Sequence, residues 1–122
     1  MDDKTFDLFK REVDSYKTKS EEEIIAVKDG VDRELVMLNE GFLPMGDSVD
    51  RVLRQHIIIH VALDETTGAE FMLQETIKSM SGEKIPVKDN AMAAAYVLLW
   101  CVYRYQNKDK EAEAIKGKVT EV

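Results

Sequence analysis

Residues 51–73 read RVLRQHIIIHVALDETTGAEFML, and the fold turns on whether they form strands or helices. As a strand, Ile57, Ile59, Val61 and Leu63 alternate with His56, Ile58, His60 and Ala62, the period-2 pattern of a half-buried sheet. The run Ile57–Ile58–Ile59 is β-branched, which favours a pleated environment. It ends at Asp64-Glu65-Thr66-Thr67-Gly68, which reads as an Asx-opened turn with Gly68 supplying positive φ. Ala69, Phe71 and Leu73 then resume the alternation. This pattern predicts a hairpin of residues 51–63 and 69–78, with short flanking strands at 42–45 and 84–87. The competing reading is a helix from Ser48, in which Val49, Val52, Leu53, His56, His60 and Leu63 share a face.

Upstream, Phe6, Phe9, Val13 and Tyr16 fall three and four apart and predict a helix over 2–19. Ser20 with Glu23 forms a capping box, and Glu21, Glu22 and Glu23 suit the positive end of a second helix over 21–40. Gly30 could divide that helix, while Gly41, Pro44 and Gly46 mark a loop. Downstream, residues 91–105, AMAAAYVLLWCVYRY, carry one charge, Arg104. A helix apolar all round must be buried, and this one falls short of the about 20 apolar residues that span a bilayer. Its burial requires the rest of the chain or further copies of it. Asp89 is its expected cap, and Lys110 with Glu113 extends the helical pattern to about Lys116. The expected fold is one domain over 1–122 with a mobile tail at 117–122. It is α+β, with two acidic N-terminal helices and the apolar C-terminal helix on a small, mainly antiparallel sheet. An all-α bundle is the alternative.

The 122 residues carry a net charge of −7, concentrated in residues 1–47, which hold 13 acidic and 7 basic side chains. Such a balance disfavours simple electrostatic nucleic-acid binding, which relies on basic surface. The single cysteine, Cys101, excludes an internal disulfide and a cysteine-based zinc site. It reads as a small buried hydrophobe of a reducing compartment. The N-terminus has no basic-plus-apolar signal pattern, so a cytoplasmic protein without membrane association is expected.

His56 and His60 are the only histidines. A spacing of four brings side chains together on a helix, but on a strand it sets them about 13 Å apart, too far to share an ion. The strand reading therefore predicts no metal and no cofactor. Arg51-x4-His56, and in a longer version Arg54-x5-His60, fits the spacing of HEPN ribonucleases, where arginine would stabilise the strained phosphate and histidine would move the proton. Serine nucleophile elbows and phosphate-binding glycine loops are absent. On the hairpin, Arg54, His56 and His60 share one face and Lys78 continues the second strand, while Arg104 and Lys108 lie at the end of the long helix beside Tyr103 and Tyr105. That set could hold single-stranded nucleic acid by phosphate contact and stacking. Glu21, Glu22 and Glu23 offer an acidic strip to a basic protein partner.

The order of parts resembles the Erf-type phage single-strand annealing proteins over residues 21–107. The similar pieces are Leu38–Phe42 (LNEGF), Ile57–Leu73 and Asn90–Ala95 (NAMAAA). The family's paired arginines are missing, and only Arg104-Tyr105, further along, is similar to that basic end. The resemblance implies a non-enzymatic, oligomeric single-strand nucleic-acid-binding or annealing protein of phage type, and the basic set read above, Arg54, His56, His60, Arg104 and Lys108, would be its nucleic-acid contacts. The alternatives are an acidic phage-encoded inhibitor or regulator that binds a host protein through Glu21–Glu23, and a HEPN-like ribonuclease using Arg51 and His56.

Overall fold

The most apolar segment of the chain is a helix enclosed by other helices. The structure, a computed structural model, describes residues 2–39, 47–82 and 89–121. In order these form α1 (Asp3–Lys17), α2 (Glu21–Asn39), α3 (Asp47–Ala62), α4 (Thr66–Gly82), α5 (Asp89–Tyr105) and α6 (Asp109–Glu121). Helix α5 packs on α1, α3, α4 and α6. Its Ala95 and every residue from Leu98 to Tyr103 are buried. These side chains are therefore covered within the chain, while Tyr96, Val97 and Tyr105 are partly buried.

The α+β expectation is overturned, because the described residues contain no strand. The hairpin is replaced by α3 and α4. Ile57, Ile58 and Ile59 are each at most 1% exposed, yet they do not share an environment. Ile57 and Ile58 enter the main core with Phe9, Leu73, Leu98 and Val102. Ile59 enters a second cluster with Ile24, Val31 and Val52. Consecutive helical residues are turned by about 100°, so a helix with neighbours on several sides can bury three in a row. Burial of a large aliphatic side chain contributes about 1.5–3 kcal/mol, against a helix-propensity cost below about 0.7 kcal/mol, so burial decides. Phe71, which shares the alternation with Leu73 in the expected hairpin, is 63% exposed on α4 while Leu73 is buried.

The supposed hairpin turn is a helix C-cap. Asp64, not Gly68, takes positive φ, at 62°. Asp64 N–H donates to Val61 O (3.1 Å) and Glu65 N–H to His60 O (2.8 Å), which is the Schellman pattern. Gly68 lies inside α4. Asn107 repeats the device at φ 61°, with its N–H on Arg104 O (3.0 Å) and the Lys108 N–H on Tyr103 O (2.8 Å). Helix α5 therefore stops there, and α6 is a separate helix that includes Gly117. Asp2 caps α1 through the Thr5 N–H (2.9 Å), and Ser20 caps α2 through the Glu23 N–H (3.2 Å). Gly30 lies within an unbroken α2. The expected strands at 42–45 and 84–87 and the loop at 41–46 lie outside the described residues.

Candidate metal centre

Helices α2 and α3 run antiparallel, as the pairs Glu34–Arg51, Asp32–His56 and Lys28–Glu65 show. Val52, His56, Ile59 and His60 of α3, with Leu63 just past its end, follow the i, i+4, i+7 rhythm of one face. Val52, Ile59 and Leu63 hold that face to Ile24, Val27 and Val31 of α2. The two histidines therefore lie in the seam between helices. His56 is buried, His60 half-buried, and their ring centroids are 4.2 Å apart.

The hydrogen bonding of this pair is incomplete. His60 Nδ1 lies 3.0 Å from Glu65 Oε2. A carboxylate only accepts, so Nδ1 carries a proton, and in the neutral ring Nε2 holds the lone pair. That Nε2 is buried and has no hydrogen-bond partner among the described residues. His56 Nδ1 lies 3.1 Å from Asp32 Oδ1, an ion-pair contact that is not aligned for hydrogen bonding, so the buried Nδ1 makes no hydrogen bond. Burial, then the neighbouring His60, pushes the His56 pKa down, while Asp32 opposes the shift. A neutral imidazole is the form that ligates metals.

One donor atom from each of Asp32, His56 and His60 lies within 4.8 Å of the others. Around a shared ion at bond lengths of 2.0–2.2 Å the donors would stand about 3.0–3.5 Å apart, so closure of at most about 1.3–1.8 Å completes the set. Two imidazoles and a carboxylate suit zinc and its first-row neighbours better than magnesium or calcium, which favour all-oxygen sites. The structural reason for expecting no metal, the strand spacing, is gone. Asp32 and Glu65 were missed by the sequence reading. Asp32 comes from another helix, with no local spacing to betray it. Glu65 follows His60 by five residues and could be found once 51–62 is read as a helix ending in a Schellman turn.

The other expected site residues are not gathered together. Arg51 pairs with Glu34 (2.9 Å) and Arg54 with Glu12 of α1 (2.8 Å). Arg104 pairs with Asp3 (2.8 Å) and lies over the Phe6 and Trp100 rings at 4.6 and 5.2 Å. Lys108 pairs with Glu70 (2.9 Å). Tyr103 OH accepts from Gln74 (3.0 Å), and Tyr105 OH accepts from Lys17 (2.7 Å). Glu21, Glu22 and Glu23 are exposed in the first turn of α2, remote in sequence and in pairing from the basic set. Among the described residues no helix is long and apolar enough to cross a membrane. Comparison with family models, curated proteins and solved structures gave no match to this chain.

Proposed function

We propose that the protein binds a divalent transition-metal ion between α2 and α3 through Asp32, His56 and His60. The observation that carries this reading is the pair of buried imidazole nitrogens that make no hydrogen bond, one of them 3.1 Å from the Asp32 carboxylate. Buried polar atoms are nearly always satisfied, and a cation satisfies both nitrogens and the carboxylate at once. Three protein ligands leave a coordination position for water or an exogenous ligand, which distinguishes such a centre from a closed structural zinc site.

The test is titration of chelator-treated protein with Co2+ and Zn2+, followed by visible absorption and calorimetry. Saturable one-to-one binding is expected, lost in the His56→Ala/His60→Ala double variant and weakened in Asp32→Ala. Wild-type protein that binds neither ion at micromolar concentration, or a double variant that binds as wild type does, refutes the proposal.

A further inference from the structure

We infer that Glu65 is the positioning residue of this centre, committing His60 Nε2 to the ion; the inference rests on the metal reading above. Glu65 grips His60 at two points. Its backbone N–H donates to His60 O at 2.8 Å, and its Oε2 accepts from His60 Nδ1 at 3.0 Å. The first contact depends on Asp64 at φ 62°, which folds the chain back over the last turn of α3. The second fixes the tautomer. The remaining carboxylate oxygen, Oε1, lies 3.7 Å from Lys28 Nζ of α2, so the carboxylate is held from the opposite helix as well.

The consequence is chemical. A neutral imidazole has one N–H and one lone pair. With the N–H given to Glu65, the lone pair must sit on Nε2, which is the buried atom without a partner. A carboxylate behind a ligating histidine orients the ring and raises its basicity, and losing such a partner typically weakens metal binding about 10- to 100-fold. Glu65 itself contributes no atom to the donor set of Asp32, His56 and His60.

The experiment measures the tautomer and the affinity separately. Long-range 1H–15N correlation of the metal-free protein reads the His60 tautomer. Wild type should show the proton on Nδ1, Glu65→Ala should shift it toward Nε2, and Glu65→Gln, which keeps an acceptor oxygen, should retain it on Nδ1. Zn2+ titration of the same samples should show Glu65→Ala weakened about 10- to 100-fold, with Glu65→Gln between it and wild type. Tight binding by wild type together with unchanged affinity and tautomer in Glu65→Ala overturns the role of Glu65 alone. If wild type binds no ion, the metal reading falls, and the role of Glu65 toward an ion falls with it. Should Glu65→Ala fail to fold, Glu65→Gln decides, because wild-type affinity in that variant overturns the inference.

Discussion

Replacing His56 by leucine should make the metal-free protein more stable, which is the opposite of what removal of a satisfied core histidine would do. His56 is 9% exposed and its Nδ1 has no hydrogen-bond partner among the described residues. An unsatisfied buried polar group costs about 1–3 kcal/mol. Leucine removes that cost beside Val52 and Ile59 of the same face, and its shape mismatch returns up to about 1.5 kcal/mol. Asp32, whose side chain is 44% exposed, loses only a neighbour and stays hydrated. The expected net gain is about 1 kcal/mol, a rise in Tm of about 4 °C for a chain of this size. Zinc reverses the order. At one hundred times its Kd an ion that binds only the folded state stabilises wild type by about 2.7 kcal/mol, and His56→Leu should gain almost nothing. Thermal unfolding of both proteins with chelator and with Zn2+ gives four midpoints, and the predicted result is a crossover. If His56→Leu melts below wild type in chelator, the histidine pair is structural and the reasoning fails.

Acid should weaken the fold through His56. Its folded pKa is below the ordinary histidine value near 6.5, so below that pH the unfolded chain binds protons that the folded chain does not. Stability should be complete above about pH 6.5 and fall as pH drops from there toward the depressed folded value. His56→Leu should flatten this part of a urea-melt pH profile, and an unchanged slope would refute the assignment. Burial pushes the Cys101 thiol up to about 12, so native protein should resist a thiol-modifying reagent until it is unfolded, as mass spectrometry would show. Rapid native labelling would contradict the packing of α5. Arg104→Ala should destabilise by about 1–2 kcal/mol, because the guanidinium covers Phe6 and Trp100. Asp3→Ala should cost far less, since Asp3 is 88% exposed. Equal denaturant midpoints for these two variants would show that stacking contributes nothing.

The first two helices were legible because each shows one face to the protein. Phe9 and Val13 of α1 are buried as their spacing requires, and the Ser20–Glu23 box starts α2. Residues 51–73 were illegible for the opposite reason. Helix α3 meets α1, α2, α4 and α5, so its apolar residues surround the axis and no longer form a stripe. In that setting an alternating run such as Ile57, Ile59, Val61, Leu63 carries no information about period. The turn misled as well, because Asp64 takes a backbone conformation that glycine usually fills, while the nearby Gly68 is helical. The metal centre depended on the same choice. Two histidines four apart are a pair on a helix and strangers on a strand, and Asp32 becomes visible only when α2 is packed alongside.

That packing is where an ion would matter most. Among the described residues, α2 packs extensively on α3 alone, with Tyr16 of α1 touching the same cluster. Its buried described side chains are Ile24 and Val31, while Ile25 and Val36 are exposed at 44% and 53%. Two buried aliphatics contribute about 3–6 kcal/mol before the ordering of the helix is counted. The exposed pairs Glu34–Arg51 and Lys28–Glu65 add at most about 1 kcal/mol each. Among the described residues, helix α2 is thus held to α3 by few buried side chains, and an ion joining Asp32 to His56 and His60 would add a strong bond between them. Native-state hydrogen exchange should therefore show α2 amides opening well below the global unfolding free energy without metal, and Zn2+ should slow them selectively, with α5 amides hardly changed. Slowing spread evenly over all helices would mean that the ion stabilises the fold without stapling α2. No slowing in α2 under saturating Zn2+ would place the ion elsewhere.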